Sequence, residues 1–401
     1  MKKYYDYLLI YLLIAFSVVP FFAENKLLLV FVTIAAFGYL LTKNQQTTIS
    51  RSFSQILFLL AVMYSGQIFT LDMRSIDFES IFGTYIRFGF PFIVLKTVRS
   101  SFIEKFVKIN YFWALIVFVF WVIDSNIPHF ETLINQISKT LYLDIESNES
   151  IIIYNSEPHF GPFGLKKNAG YAYEGGAYSI IVILALFFNY LEKKSIRNKE
   201  SFVFIIILLT TFSTAAYLSL ILFLISLLFV KYKKSYVSIF FSLIIGLMLC
   251  YYLYTSVPFL NDKIVSQVEI AQSDKYATAG RFASAQADLI ELQRNPLFGV
   301  GKFDETRFKV FNGQDEQHRA NGLADFLAKF GALFFIGYYI LLFKSINKFV
   351  VLHDINNYFF IFFVSIILFL QPFSQTANQW SVYISLLYLG RINVKTKLLS
   401  H

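Results

Sequence analysis

The chain has 401 residues, of which 56% are hydrophobic and only 15% are charged, and its formal net charge is +9. Soluble domains carry about 25% charged residues, and a water-soluble fold of this size cannot hide so much apolar side chain beneath a polar surface. The composition therefore excludes an ordinary soluble enzyme, a disordered chain and a basic nucleic-acid binder. It predicts an all-α polytopic membrane protein.

Apolar stretches long enough to approach the thickness of a bilayer recur along the whole chain. About 20 mostly apolar residues are needed for one crossing. The candidates are Tyr7–Phe22, Leu27–Leu41, Phe53–Thr70, Ser80–Leu95, Val107–Ile123, Gly175–Leu191, Ser201–Val230, Ser238–Thr255, Leu323–Phe343, Asn357–Phe373 and Trp380–Leu389.

The longest candidate, Ser201–Val230, is too long for a single upright span. As one helix it would measure about 45 Å, whereas the hydrocarbon core is about 30 Å thick. Lysines flank it on both sides, at Lys193 and Lys194 and again at Lys233 and Lys234, and basic flanks belong in the cytoplasm. We therefore expect the run to enter the membrane and return, turning at Thr210–Thr214. A single tilted helix is the alternative.

With this hairpin, the predicted topology is a single transmembrane domain over residues 1–401, with about twelve passes and both termini in the cytoplasm. Two long segments then lie outside, at residues 124–173 and 256–322. In the second segment, apolar residues recur at helical spacing from Phe282 to Leu292, which predicts an amphipathic helix. Asn295-Pro296 and the glycines that follow predict its end and a turn.

Two arginines are candidates for binding an anion. Arg87 lies within the predicted span Ser80–Leu95, where a charge is costly and usually functional. Its planar guanidinium matches the oxygens of a phosphate, although an arginine can also extend from a span to the membrane surface. Arg281 stands at the predicted helix start, where the helix N-terminus and the guanidinium would attract the same anion. A solvated arginine is the alternative there.

Further candidates stand where the outer segments return to the membrane. His318 precedes the span that begins near Leu323, and histidine suits proton transfer near neutral pH. Glu174 lies before the span Gly175–Leu191, where it would accept sugar hydroxyls or pair with an arginine. A glutamate favoured by the helix dipole is the alternative. Lys166 and Lys167 lie just upstream.

Motifs for metals and cofactors are weak. Gly299-Val300-Gly301-Lys302 lacks the complete phosphate-loop pattern, and Asp72 and Asp77 have no supporting ligands nearby in sequence. The single Cys250 cannot build a cysteine-based metal site. We therefore predict neither a metal nor a cofactor.

The order of these motifs resembles that of a known family. Gly280-Arg281 is followed by Asn295-Pro296-Leu297-Phe298-Gly299-Val300-Gly301, then His318, then Asn321-Gly322-Leu323 and a span containing Gly331. This order resembles the bacterial O-antigen polymerase and O-antigen ligase superfamily. The stretch 165–174 is similar to a polymerase segment with a basic residue, a Gly and a Glu-Pro pair, and Ser213-Thr214-Ala215 is similar to a family hairpin.

Three positions depart from the family pattern. Lys167 stands where an Arg is more common, Gly175 replaces the Pro after the glutamate, and Arg319 follows His318 where the ligases usually have an Asn. The last departure favours a polymerase over a ligase.

The resemblance implies a metal-independent glycosyltransferase of the GT-C type in the bacterial inner membrane, with its active site facing the periplasm. It would transfer a glycan chain from undecaprenyl diphosphate to the terminal sugar of another lipid-linked repeat unit. The implied catalytic residues are His318, Arg281 and Glu174. The implied residues for the diphosphate and sugar are Arg87, Arg319, Lys167 and Lys166.

The resemblance also implies partners and leaves alternatives open. The partners would be the undecaprenyl-diphosphate-linked oligosaccharide, membrane lipids and a chain-length regulator protein, with no nucleic acid. One alternative is an O-antigen ligase that transfers glycan to lipid A core. Another is a transporter of lipid-linked oligosaccharides. A transporter is expected to have repeated halves and ionisable residues near the midplane of the membrane.

Overall fold

The computed structural model describes residues 2–43, 50–71, 78–142, 150–161, 164–231, 248, 265–266, 268–269, 280–302 and 321–392. The longer helices are α1 (Lys2–Val18), α2 (Pro20–Glu24), α3 (Lys26–Thr42), α4 (Arg51–Thr70), α5 (Phe78–Val98), α6 (Phe102–Asn126), α7 (Phe130–Tyr142), α8 (Gly175–Lys193), α9 (Lys199–Thr210), α10 (Thr214–Lys231), α11 (Arg281–Leu292), α12 (Gly322–Leu352), α13 (Tyr358–Leu370) and α14 (Ser381–Ile392).

Helix α8 is at the centre of the bundle. Nearly every side chain from Gly175 to Leu191 is buried, and α8 packs against α6, α9 and α10. A helix that is apolar on all sides is expected to be surrounded by protein or lipid. Because Glu174 precedes this helix directly, a deeply enclosed element of the fold holds it in place.

The long apolar run is broken where the sequence predicts a turn. Helix α9 ends at Thr210, α10 begins at Thr214, and Phe212 between them has φ +45°. Local polar groups satisfy the interrupted backbone, since Tyr217 donates to the carbonyl of Leu209 at 2.8 Å. The predicted break is therefore confirmed. Helix α9 has only 12 residues, which is too short to cross a bilayer.

Helix α12 contains a sharp break at Gly331. This glycine has φ 74° and ψ 167°, a backbone conformation that is open essentially to glycine alone. The break removes hydrogen bonds between successive turns of the helix. Their polar groups need other partners, because unpaired backbone groups are costly in a membrane protein.

The segment 295–302 supplies those partners by docking against the break. The amides of Val300 and Gly301 donate to the carbonyls of Ala328 and Lys329 at 2.9 and 3.1 Å. In return, the amides of Ala332 and Leu333 donate to the carbonyls of Pro296 and Leu297 at 2.9 and 3.1 Å. The docked segment and the break therefore form one unit, which we call the docked turn.

Helix α4 holds the docked turn from the other side. The side-chain amide of Gln67 donates to the carbonyls of Phe298 and Lys329 at 2.7 and 2.9 Å. Gly66 leaves room for Phe298, because a Cβ at this position would come within 2.2 Å of the ring. The turn therefore belongs to the packed helix bundle.

Five helical stretches of the described chain are long and apolar enough to cross a membrane. They are Arg51–Thr70, Phe78–Asn126, Gly175–Lys193, Thr214–Lys231 and Gly322–Leu352. This supports the predicted helical membrane protein. Twelve passes, the GT-C-like arrangement and the position of the termini remain predictions, and the candidate span Ser238–Thr255 lies mostly outside the described residues.

A small sheet is an exception to the predicted all-α architecture. Strands β1 (Ser150–Ile151), β2 (Tyr154–Phe160) and β3 (Lys166–Asn168) pair antiparallel in that order. In the register, Ile151 lies opposite Tyr154, and Ser156 lies opposite Asn168. Strands this short have no long alternating pattern that would reveal them in the sequence.

Candidate functional site

Two adjoining cavities lie among α1, α2, α3, α5, α12, the start of α11 and the segments before α8 and α14. The first cavity has a volume of about 450 Å³, and its lining includes Glu24, Arg87, Tyr173, Glu174, Arg281, Lys329, Gln375, Gln379 and Trp380. The second has a volume of about 900 Å³, and its lining includes Lys26, Leu27, Val30, Glu79, Phe82, Thr84, Arg87, Lys302, Lys329 and Gln379. Arg87, Lys329 and Gln379 line both cavities and form their shared wall.

The second cavity is strongly positive. Four of its lining residues are cations and one, Glu79, is an anion. Within the described part of the chain, Lys26, Arg87 and Lys302 form no ion pair. Cations held close together are costly, because like charges repel strongly where water is scarce. An anionic ligand would relieve this repulsion.

The docked turn brings Lys302 into this group of cations. The Lys302 Nζ donates to the hydroxyl of the buried Thr84 at 2.9 Å and lies 5.1 Å from the ring centroid of Phe330. Desolvation, followed by repulsion from Arg87 and Lys329, lowers the pKa of Lys302. A bound anion would favour its charged form and raise that pKa again.

Lys329 is positioned by the break in α12. It lies two residues before Gly331, and its Nζ is 2.7 Å from a carboxylate oxygen of the fully buried Asp325. Gln379 donates a weaker hydrogen bond to the same oxygen at 3.4 Å. This buried carboxylate orients Lys329 at the shared wall.

The first cavity is more polar and more nearly neutral. Glu174 is its central carboxylate: a terminal nitrogen of the Arg281 guanidinium lies 4.0 Å from Glu174 Oε1. Gln375 donates to the same oxygen, and Tyr173 donates to the Gln375 side-chain carbonyl at 2.7 Å. The aromatic rings of Tyr173 and Trp380 meet edge to face. Such a lining of carboxylate, amides and aromatic rings suits a sugar, which offers hydroxyls as both donors and acceptors.

Lys167 is connected through Glu157 to Gly175, the residue that follows Glu174. Its Nζ lies 3.6 Å from Glu157 Oε1, and Glu157 Oε2 accepts a hydrogen bond at 2.9 Å from the amide of Gly175, at the start of α8. A Cβ on Gly175 would come within 2.8 Å of the Thr211 carbonyl. The family's proline at this position would also lack the amide, so Gly175 fits the local contacts of this chain.

Lys166 lies in a separate buried cluster. Its Nζ contacts Asp124 at 3.0 Å and also pairs with Glu131. Tyr154 and Ser156 donate to the other oxygen of Asp124 at 2.9 and 2.7 Å. Desolvation opposes the charged form, but the hydrogen bonds that Lys166 donates to Glu131 and Asp124 outweigh it and raise the pKa of Lys166. These contacts fasten α6, α7 and β3 together.

The structure brings Arg87, Glu174 and Arg281 to one cavity, as the sequence-based hypothesis requires. Lys166 and Lys167 are held in ion pairs and are absent from the lining described for either cavity, and their assignment to substrate binding remains a prediction. His318 and Arg319 lie outside the described residues.

Sequence reasoning missed three residues of these cavities. Lys329 is a charge inside a predicted span, and that signal could have found it. Lys302 ends the incomplete phosphate-loop motif, so it was set aside with that motif. Gln375 follows the span Asn357–Phe373, and nothing in its local sequence distinguishes it.

Comparison with known proteins identifies a family in part of the chain. Residues 201–339 match the model of the family described as O-antigen ligase. No curated protein and no solved structure matches the chain. The matched segment contains Arg281, Lys302 and Lys329 as well as the break at Gly331. It supports an enzyme of the O-antigen ligase or polymerase type, and it gives no support to the transporter alternative.

The match over residues 201–339 confirms the resemblance noted in the sequence: this part of the chain is similar to the O-antigen ligase family and supports the ligase and polymerase superfamily.

Proposed function

We propose that the protein is a polysaccharide polymerase that transfers a glycan chain from undecaprenyl diphosphate to the terminal sugar of another lipid-linked repeat unit. The observation that carries this proposal is the group of cations at the shared wall of the two cavities. A diphosphate leaving group gains negative charge as its bond to the sugar breaks. Cations already in place along that wall stabilise this charge without moving.

In the proposed reaction, the bond between the anomeric carbon and the phosphate oxygen breaks, and the diphosphate keeps the electron pair. A hydroxyl of the acceptor sugar forms the new bond to that carbon and loses its proton. Arg87 and Lys329 bind the diphosphate at the shared wall, and Lys302 approaches it from the second cavity. Arg87 contributes most, because its guanidinium binds phosphate oxygens in a bidentate fashion.

The second cavity suits the lipid end of the donor. Leu27 and Val30 of α3 and Phe82 and Ile86 of α5 give it apolar walls beside its cations. Leu27 and Phe82 are largely exposed on the outside of the bundle, where a spanning helix faces lipid. The polyprenyl chain would therefore leave between α3 and α5, while its diphosphate stays at the shared wall.

The first cavity suits the sugar next to the diphosphate. Glu174 and Gln375 accept and donate hydrogen bonds to hydroxyls, and Arg281 holds Glu174 while adding positive charge on the diphosphate side. His318 would take the proton of the acceptor hydroxyl, as the resemblance implies. Arg319 would add a further cation beside the histidine.

A polymerase is proposed over a ligase because Arg319 follows His318 where the ligases usually have an Asn. The chain-length regulator, the position of the active site on the periplasmic face and the independence from metal ions belong to the same proposal.

The first test is a glycan ladder. Purified protein in liposomes, supplied with short undecaprenyl-diphosphate-linked repeats, should produce glycans that grow by whole repeat units on a gel, equally well with excess EDTA. Arg281→Ala and His318→Ala should abolish the ladder, while Arg51→Gln, which removes an exposed charge at the start of α4, should retain it.

Three results would overturn parts of this proposal. Loss of the ladder in EDTA would contradict metal-independent transfer. Full activity of both Arg281→Ala and His318→Ala would contradict the assigned roles. Glycan that appears only on added lipid A core would identify a ligase.

A further inference from the structure

Helix α7 (Phe130–Tyr142) carries an unpartnered apolar stripe on one flank. Leu133, Ile137 and Leu141 are 48%, 38% and 59% exposed. They follow one another at intervals of four residues, so they lie in one row along the helix. No described element covers them, although they are as apolar as the residues of the core.

The fold fixes the direction in which this stripe points. On the protein side, Ile134 is buried in a cluster with Trp121 and Tyr154, and Glu131 pairs with Lys166. On the remaining flank, Thr132, Gln136 and Lys139 are exposed. The helix therefore has three distinct sides: one packed on protein, one apolar and one polar.

The apolar stripe follows, along the chain, a row of exposed apolar residues on the preceding helix. Helix α6 belongs to a stretch that is long and apolar enough to cross a membrane, and its exposed residues include Phe112, Leu115, Val119 and Val122. Ile127, which is 53% exposed, follows them directly after α6. Exposed apolar residues on a spanning helix contact lipid, and the stripe on α7 begins where this lipid-facing row ends.

We propose that α7 lies in the membrane interface beside the end of α6, with Leu133, Ile137 and Leu141 inserted among the lipids. Its polar flank, with Thr132, Gln136 and Lys139, faces water. An amphipathic helix with one polar side and one apolar side binds a lipid surface in this way. The partner is the bilayer itself, and the proposal is independent of the reaction that the protein catalyses.

The test compares two neighbouring positions on α7. Cys250, the single cysteine of the chain, is replaced by serine, and Ile137→Cys and the matched control Gln136→Cys are each labelled with bimane. The labelled proteins are reconstituted in phosphatidylcholine vesicles, and the fluorescence is quenched either with lipids that carry a doxyl group near the headgroup or with aqueous iodide.

We expect doxyl lipid to quench the label at residue 137 at least twofold more than the label at 136, and iodide to show the reverse order. Leu133→Cys should be quenched in the same way as Ile137→Cys. Agreement between these two positions excludes an effect that is local to one substitution. Equal quenching by iodide at 136 and 137, without lipid quenching at 137, would overturn the proposal. Protection of residue 137 from both quenchers would also overturn it, because protein would then cover the stripe.

Discussion

At the scale of single residues, Arg87 is central to the proposed function. It lies near the middle of α5 and lines both cavities, and it forms no ion pair within the described chain. A buried or half-buried guanidinium without a carboxylate is unfavourable unless a ligand supplies the negative charge. In the proposed function, a diphosphate at the shared wall supplies it.

Substitution of Arg87 should therefore lower the rate of transfer more than the affinity for the acceptor. Removal of one preorganised group that stabilises developing charge costs about 100-fold to 1,000-fold in kcat, and we expect Arg87→Gln to fall in that range. Arg87→Lys keeps the charge but loses the bidentate geometry, so its kcat should lie between that of the wild type and that of Arg87→Gln. Initial rates of chain extension at several concentrations of acceptor measure both effects. Wild-type kcat in Arg87→Gln would contradict the role given to this residue.

Some residues of the candidate site could be predicted from the sequence, and others could not. Arg87, Arg281 and Glu174 stand out locally, because each is a charge inside or at the edge of an apolar run. Lys302 meets Arg87 only through the docked turn, whose contacts join segments far apart in the chain. Gln375 reaches Glu174 across 201 positions. Such pairings depend on tertiary packing, which neither hydropathy nor local spacing reveals.

At the scale of elements, the break in α12 is the structural feature that does most to shape the candidate site. The docked turn replaces the hydrogen bonds lost at Gly331, and it places Lys302 and Lys329 at the cavities. The sequence predicts the turn at 295–301 from its proline and glycines, but it gives no sign that this turn docks against Gly331. By contrast, the turn between α9 and α10 can be predicted from the sequence, because basic residues flank a long apolar run on both sides.

Gly331→Ala should destabilise the protein strongly. A Cβ there would approach the Leu297 carbonyl oxygen to 2.3 Å and the Gly299 amide nitrogen to 2.4 Å, and φ is 74°. Backbone strain and overpacking together should cost on the order of 3 kcal/mol. Gly38→Ala in α3 is the matched control, since nothing lies within 4 Å of its Cβ. There the change should be neutral or stabilising by about 0.5–1 kcal/mol.

Thermal unfolding in detergent, followed by tryptophan fluorescence, measures the difference between the two glycine variants. The melting temperature of Gly331→Ala should fall well below that of wild type, and that of Gly38→Ala should stay the same or rise. Equal melting temperatures for the two variants would contradict the role given to the break.

At the scale of the whole molecule, the positive charges fall into two groups: those in predicted cytoplasmic segments and those around the two cavities. The predicted cytoplasmic segments carry more positive charge than the net +9 of the whole chain, because basic residues on that side orient the chain. The remaining chain is net acidic on the predicted topology, yet several cations gather there around the two cavities. Their convergence on one wall is what the proposed anion-binding site requires, whereas a topology signal alone would not require it.

The most direct test of the central claim is to locate a bound undecaprenyl diphosphate in the protein by cryo-electron microscopy in lipid nanodiscs. We expect the diphosphate to lie at the shared wall within hydrogen-bond distance of Arg87 and Lys329, and its lipid chain to leave through the second cavity past Leu27 and Phe82. A diphosphate bound out of reach of Arg87, with its lipid chain on another side of the bundle, would contradict the account.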